Sequence, residues 1–128
     1  MIVDASVLSA ILRGEPEGSE FQKILEVRRD SYISAGTLIE ARIMAISLNV
    51  LDELNELISE LSIRTIPVDE RQATIAAEGF FKYGKGRHSA RLNFGDLFAY
   101  ALAKLRDEPL LFKGGDFART DVKRASAN

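Results

Sequence analysis

The sequence contains no cysteine and a single histidine, His88. Disulfide bonds and zinc–thiolate sites are therefore excluded, as is any site that needs two imidazoles. No apolar run approaches the roughly 20 residues that a membrane-spanning helix requires. The first ten residues, MIVDASVLSA, include an acid and no basic leader, which is unlike a secretory signal. We therefore expect a cytoplasmic protein with no membrane partner.

An excess of charge of either sign is also missing, because the formal net charge is -2 at pH 7. The chain has no general attraction for nucleic acid, so any RNA binding would depend on local basic patches. The length of 128 residues predicts one domain, 1–128, large enough to bury roughly two-thirds of the surface that its unfolded chain exposes.

Short apolar segments alternate with segments of helical periodicity along the whole chain. Ser6 is predicted to cap the first helix, and Thr37 with Glu40 forms a capping-box pattern at a later one. Strand candidates are residues 1–3, 31–35, 63–68 and 110–112, with 121–124 as a shorter fifth. Strands that alternate with helices predict an α/β sandwich around a mostly parallel sheet of four to five strands.

Four acidic residues lie near the predicted carboxyl ends of strands or at a helix start. Asp4 ends the first strand, Glu40 follows the second, Asp116 follows the fourth, and Asp96 begins the helix before the fourth. Ligands of parallel sheets collect beyond the carboxyl ends of the strands, so we expect these acids to converge. Each acid taken singly is better explained by a structural role, as a helix cap, a partner of the helix dipole or a turn residue.

A convergent acidic cluster has a distinctive chemistry. Two carboxylates about 4 Å apart repel each other by about 4 kcal/mol at an effective dielectric constant near 20. Such a cluster either takes up protons or holds a cation. Oxygen ligands without sulfur and with little imidazole suit the hard ions Mg²⁺ or Mn²⁺. The chemistry indicated is metal-assisted attack of water on a phosphodiester.

Four segments, VDASVL, TLIEA, LNFGDLFAYALA and LLFKGGDF, resemble the PIN-domain ribonucleases in order and spacing. The greatest similarity is to the VapC-type toxins of bacterial toxin–antitoxin pairs, and it extends from Met1 to about Val122. The resemblance implies a compact α/β/α fold with a central parallel sheet. It also implies an endoribonuclease that depends on Mg²⁺ or Mn²⁺.

The same resemblance assigns roles to individual residues. Asp4, Glu40 and Asp96 would hold the metal directly or through water, and Asp116 would complete the cage or orient a second ion. Ser6 and Thr37 occupy positions where the family places hydroxyl groups near the acids. Relatives often have a polar residue before the last acid, whereas this sequence has Gly115, which leaves open whether Asp121 helps the fourth acid.

The resemblance also implies partners. An RNA substrate would contact the basic loop before Asp96, although a solvated loop explains the same residues: Lys82, Lys85, Arg87, His88 and Arg91. Lys113 would add to this surface, with Lys123 and Arg124 more remote. A cognate VapB-like antitoxin would block the acidic pocket with a basic side chain. The family further implies a homodimer, through a surface that the sequence does not identify. The apolar stripe of the helix at 51–61 is mostly core and is also compatible with a groove for a partner helix.

Two other classes of α/β protein remain as alternative hypotheses. Both use an aspartate at the end of a strand as a phosphoacceptor, and in this chain that residue would be Asp4. A phosphatase of the haloacid dehalogenase kind needs a second Asp two residues later, where this chain has Ser6. A non-catalytic receiver-like domain needs an adjacent acidic pair near the N-terminus, and only Asp4 is present there. A metal-dependent nuclease is the preferred hypothesis.

Overall fold

The computed structural model describes residues 1–126. Four short strands alternate with six helices, and a 3-10 turn, Phe117–Arg119, follows the last strand. The strands are Ile2–Val3 (β1), Tyr32–Ser34 (β2), Arg64–Ile66 (β3) and Leu110–Leu111 (β4). The helices are Ala5–Leu12 (α1), Gly18–Val27 (α2), Ala35–Ser47 (α3), Leu51–Glu60 (α4), Glu70–Tyr83 (α5) and Phe94–Arg106 (α6).

The four strands form one parallel sheet in the order β3-β2-β1-β4. Successive side chains of a strand point to opposite faces, so each strand contributes to two cores. Val3 and Leu111 pack with α1 to α4, whereas Ile2 and Leu110 pack with α5 and α6. Burial on both faces explains the unbroken apolar strand sequences. The predicted three-layer α/β/α fold is confirmed.

Two predicted helix starts are wrong in detail. Asp4, rather than Ser6, caps α1, and its side chain accepts a hydrogen bond from the Ser6 amide at 3.1 Å. Ser34 caps α3 by accepting from the Gly36 amide, so the helix begins before the predicted Thr37 capping box. Hydroxyl and carboxylate side chains are all good N-caps, so the sequence pattern alone did not show which of the neighbouring candidates caps each helix.

The predicted fifth strand at 121–124 is reduced to a single β-bridge between Leu110 and Arg124. The prediction that α4 is mostly core is confirmed, because Leu54, Leu57 and Leu61 are buried. Asp69 caps α5 by accepting a hydrogen bond from the Gln72 amide at 2.9 Å. Among residues 1–126, no helix combines the length and apolar character needed to cross a bilayer.

Candidate active site at the carboxyl edge of the sheet

The topology brings the predicted acids to one edge. The chain passes from β1 to β2 and β3 on one side, then places β4 on the other side of β1. This reversal opens a crevice beyond the carboxyl ends of β1 and β4, where ligands of such sheets bind. Asp4 follows β1 and Asp116 lies five residues after β4. Helix α6 directly precedes β4 and runs back across the sheet to reach its start. The first turn of α6, which contains Asp96, therefore lies at the same edge.

Asp4 is the most buried member, with 5% of its surface exposed. One carboxylate oxygen caps α1, whereas Oδ1 is buried without a hydrogen-bond partner among the described residues. Burial raises the pKa of Asp4, although hydrogen bonds from Ser6 and Ala5 act in the opposite direction. A carboxylate oxygen that is buried away from water without a hydrogen bond is energetically costly, and binding a cation or a proton relieves that cost.

Asp96 occupies the third position of α6 in a capping box with Asn93. The Asp96 carboxylate accepts from the Asn93 amide at 2.9 Å, and the Asn93 side chain accepts from the Asp96 amide at 3.0 Å. Burial nevertheless raises the pKa of Asp96 to about 6, with the charges of Asp4 and Asp116 raising it further against that hydrogen bond. The residue therefore belongs both to the helix cap and to an acidic cluster.

Glu40 reaches the cluster from the second turn of α3. Its pKa is raised first by burial and then by the charges of Asp4 and Asp96. Its carboxylate lies against the start of α6, where a Cβ added at Gly95 would come within 2.9 Å of the Glu40 carboxyl carbon. Glycine at position 95 therefore leaves the space that the Glu40 side chain occupies.

Asp116 is exposed at the start of the 3-10 turn, and its side chain caps nothing there. The segment that leads to it is tied to α1, because the Lys113 amide donates to the Ser6 hydroxyl at 3.0 Å. The Lys113 ammonium pairs with Glu15 and, at 3.0 Å, with Glu17. Ser6 thus supports the fourth acid by fixing its loop, and the charge of Lys113 is already met by two glutamates.

The acids influence one another electrostatically, yet within residues 1–126 no group of three or more Asp, Glu or His side chains is arranged as a ready metal cage. The donor set still fits a hard divalent cation, because it consists of carboxylates and includes the orphaned oxygen of Asp4. Without a cation, the raised pKa values of Asp4, Glu40 and Asp96 show that the cluster favours protons.

The two remaining supporting residues have different surroundings. Thr37 is fully buried in the first turn of α3, and its hydroxyl has no hydrogen-bond partner among the described residues. Asp121 accepts a hydrogen bond from the Tyr100 hydroxyl at 2.9 Å and pairs with Lys104 at 3.0 Å. These contacts attach Asp121 to α6 one turn or more beyond Asp96.

The basic loop is solvent-facing. Lys82, Lys85 and Arg91 are exposed, and no ion pair involves them in the part of the chain that the structure describes. Arg87 is folded back, with its Nε donating to the Phe81 carbonyl at 3.0 Å and its guanidinium lying over the Phe81 ring. The two more remote basic side chains already have partners. Lys123 forms an ion pair with Asp107 at 3.0 Å, and the Arg124 guanidinium lies over the Phe112 ring.

Three residues of the site were not singled out from the sequence. Asn93 completes the capping box, Gly95 makes room for Glu40, and Gly36 makes room for the Phe98 ring, which a Cβ would strike. The N-F-G-D spacing of residues 93–96 was the available signal, because Asn is a favoured cap three residues before an acid. The need for glycine depends on neighbours from distant parts of the chain.

Comparisons with known proteins agree with this geometry. A family model described as the PIN domain matches residues 1–123. The chain is 42% identical to VapC ribonuclease Mb0625 of Mycobacterium bovis and to Ribonuclease VapC28 of Mycobacterium tuberculosis, in alignments covering 98% of this chain and 97% of each relative. It is 38% identical to Ribonuclease VapC30 of M. tuberculosis, with 95% of both chains covered.

Two solved structures share the fold at low sequence identity. A toxin–antitoxin complex from Klebsiella pneumoniae superposes with a TM-score of 0.75 at 19% identity, covering 99% of this chain and 97% of the other. M. tuberculosis VapC20, described as a sarcin-ricin loop cleaving toxin, gives a TM-score of 0.75 at 16% identity, with 97% of both chains covered. The similarity therefore spans nearly the whole chain.

Proposed function

The chain belongs to the PIN-domain family and, within it, to the VapC ribonucleases, and we propose that it cleaves RNA at the pocket formed by Asp4, Glu40, Asp96 and Asp116. It is an endoribonuclease toxin of a toxin–antitoxin system. The observation that supports this site most directly is the mutual effect of the acids, because Asp4 and Asp96 raise the pKa of Glu40, and Asp4 and Asp116 raise that of Asp96.

We propose that Asp4, Glu40 and Asp96 bind Mg²⁺ or Mn²⁺ and that Asp116 completes the set. A bound divalent ion supplies charge neutralisation at the phosphodiester and an activated water. The protein residues prepare this site: the buried Oδ1 of Asp4 has no hydrogen-bond partner among the described residues, and the capping box with Asn93 fixes the Asp96 carboxylate. The positive end of the α6 dipole favours an anionic phosphate beside the acids.

The substrate is proposed to approach along the basic loop. Lys82, Lys85 and Arg91 present exposed positive charges that no acid among residues 1–126 pairs with, and Arg87 presents a guanidinium stacked on an exposed ring. Such side chains contact phosphates and position RNA without reading its sequence. Lys113 is not part of this surface, because its ammonium is paired with Glu15 and Glu17.

Regulation and location follow from the same family assignment. VapC toxins pair with antitoxins, and we propose that a cognate VapB-like antitoxin blocks this pocket with a basic side chain, since a cation facing unmet carboxylates forms a charge-assisted pair. Association of two copies and action in the cytoplasm are parts of the same proposal. The alternative use of Asp4 as a phosphoacceptor is not favoured, because the side chain is nearly buried and caps α1.

The test is RNA cleavage by the purified protein with Mg²⁺ or Mn²⁺, followed by sequencing of the cleaved ends. Asp4→Asn and Asp96→Asn should each abolish cleavage while unfolding remains cooperative. The matched control is Asp52→Asn, which removes an exposed acid from the first turn of α4 and should cleave like the wild type. Full activity in either pocket variant would refute the assignment of this site.

A further inference from the structure

The surface between α3, α4 and the edge strand β3 contains an open cavity of about 570 Å³. This volume lies in the range of small-molecule binding sites. The floor is apolar and is formed by Leu38, Ile58 and Ile63. The walls carry guanidinium, hydroxyl and amide groups, from Arg29, Arg42, Asn55, Ser59, Ser62 and Thr65. An apolar floor below a rim of hydrogen-bond donors is suited to a polar ligand.

The positive charge around this cavity is not balanced by acids. Arg29, Arg42 and Arg64 all line the cavity, whereas none of its lining residues within 1–126 is an aspartate or a glutamate. No ion pair among the described residues involves any of the three arginines. The Arg64 guanidinium lies over the Tyr32 ring, 5.1 Å from its centroid, and this contact leaves the charge uncompensated. The cavity therefore attracts an anion.

The acids of α4 do not line the cavity, although this helix is strongly acidic. Asp52, Glu56 and Glu60 follow one another at intervals of four residues and therefore share one side of α4. Asn55 and Ser59, which are also four residues apart, line the cavity instead. A ligand that enters the cavity thus meets neutral hydrogen-bonding groups, rather than carboxylates, on the α4 wall.

The two arginines that are most available to a ligand differ in how firmly they are held. Nη2 of Arg29 donates to the Ser62 hydroxyl oxygen at 2.8 Å, which fixes this guanidinium beside the start of β3. Arg42 projects from α3 and makes no side-chain hydrogen bond or ion pair in the part of the chain that the structure describes, so its N–H groups remain available. A guanidinium presents five N–H donors in one plane and binds phosphate oxygens in pairs.

The charge of the cavity indicates which anion it binds. A phosphate monoester carries a charge of about -1.5 to -2 at neutral pH and has three strong acceptor oxygens. A carboxylate carries one negative charge and has two oxygens. Two guanidinium groups beside several hydroxyl groups therefore match a phosphate monoester better than they match a single carboxylate.

We propose that this cavity binds a terminal phosphate group, with Arg29 and Arg42 as its ligands, at a site separate from the acidic pocket. Glu40 of the acidic pocket lines a different cleft of α3, and the two sets of lining residues have no member in common. A free nucleotide and the 5′ end of an RNA strand present the same phosphate chemistry. The site is argued without the acids and without cleavage, so it does not depend on the proposed function.

The experiment measures binding from the rise in unfolding temperature during titration with ligand, in chelator so that no RNA is cleaved. One ligand pair is adenosine 5′-monophosphate and adenosine. The other pair is a short oligoribonucleotide with a 5′-phosphate and the same oligoribonucleotide with a 5′-hydroxyl. In at least one pair, the phosphorylated member should bind about tenfold or more tightly than its partner, and that pair identifies the source of the phosphate.

The double variant Arg29→Gln with Arg42→Gln should abolish the preference for the phosphorylated ligand. The matched control is Lys23→Gln with Arg71→Gln, which removes the same charge from exposed side chains on α2 and α5 and should keep the preference. Arg42→Gln alone should weaken the preference without disturbing the hydrogen bond between Arg29 and Ser62. Circular dichroism must show that each variant is folded.

Three results would overturn the proposal. The first is equal binding of both members in both ligand pairs by the wild type, at concentrations up to about 10 millimolar. The second is a preference that survives in the double variant or that disappears equally in the control. The third is a glutamate-rich peptide that binds more tightly than either phosphorylated ligand and loses this binding in the double variant, because the cavity would then belong to an acidic protein partner.

Discussion

Replacing Asp96 with asparagine should stabilise the protein against unfolding at neutral pH when no divalent cation is present. The pKa of Asp96 rises from 3.8 to about 6, because burial and neighbouring acids disfavour the charged carboxylate. A shift of about two pKa units corresponds to roughly 3 kcal/mol at 1.36 kcal/mol per unit. Partial exposure to solvent reduces this to about 1–2 kcal/mol. Asparagine keeps an oxygen to accept the Asn93 amide and loses only the charge.

The sign of the pH dependence follows from proton binding. Between about pH 4 and pH 6, the unfolded state releases the Asp96 proton while the folded state retains it, so the wild-type stability falls as the pH rises through this window. Below about pH 4 the carboxyl is protonated in both states. The advantage of Asp96→Asn should therefore appear above pH 6 and vanish near pH 4.

The assay is thermal unfolding in chelator at pH 4 and pH 7.5. A gain of about 1–2 kcal/mol should raise Tm by about 3–8 °C at pH 7.5. Asp52→Asn is the control: its carboxylate is exposed at the favourable end of the α4 dipole, so its removal should cost about 0.3–1 kcal/mol. Mg²⁺ should stabilise the wild type more than Asp96→Asn. An Asp96→Asn protein no more stable than the wild type at pH 7.5 would refute the reasoning.

Three further changes have defined outcomes. Gly95→Ala should reduce RNA cleavage by displacing the Glu40 carboxylate, while urea unfolding changes little; unimpaired cleavage would contradict the close approach. Thr37→Val removes a buried hydroxyl that has no partner within residues 1–126 and should raise stability to urea by about 1 kcal/mol, so a loss would reveal a hidden hydrogen bond. Lys113→Ala should leave the salt dependence of RNA binding unchanged, whereas Lys85→Ala should reduce its slope; equal effects would show that Lys113 also reaches RNA.

Local sequence was sufficient to predict most of the elements and to select the candidate acids. Apolar runs such as 110–112 and the periodicity of α4 report burial directly, because each depends on neighbours a few residues away. The carboxyl-end position of Asp4 followed from the strand pattern alone. The positions of Glu40, Asp96 and Asp116 followed from the same pattern, and the family resemblance added an RNA-cleaving role for the four acids as one set.

Helix starts were harder to predict from the sequence, because several good capping residues stand close together. Ser34 and Thr37 are both compatible with the start of α3, and the strand register determines which of them leaves the sheet first. The predicted strand at 121–124 failed for a related reason. The chain comes beside β4 at Lys123 to Ala125, where Leu110 bonds to the backbone of both residues, whereas Asp121 is held by Tyr100 and Lys104 on α6.

The sequence by itself determined an α/β fold with a strand-end acidic set, because alternating periodicity and residue chemistry are local properties. Tertiary structure alone decided that β4 lies beside β1 and that Lys113 forms ion pairs with glutamates. It also decided that one buried oxygen of Asp4 has no hydrogen-bond partner among the described residues. It also decided that Ile43 and Phe94 remain in solvent beside Glu40. These properties depend on which distant segments meet, and a residue's place in the sequence does not show which distant segment lies beside it.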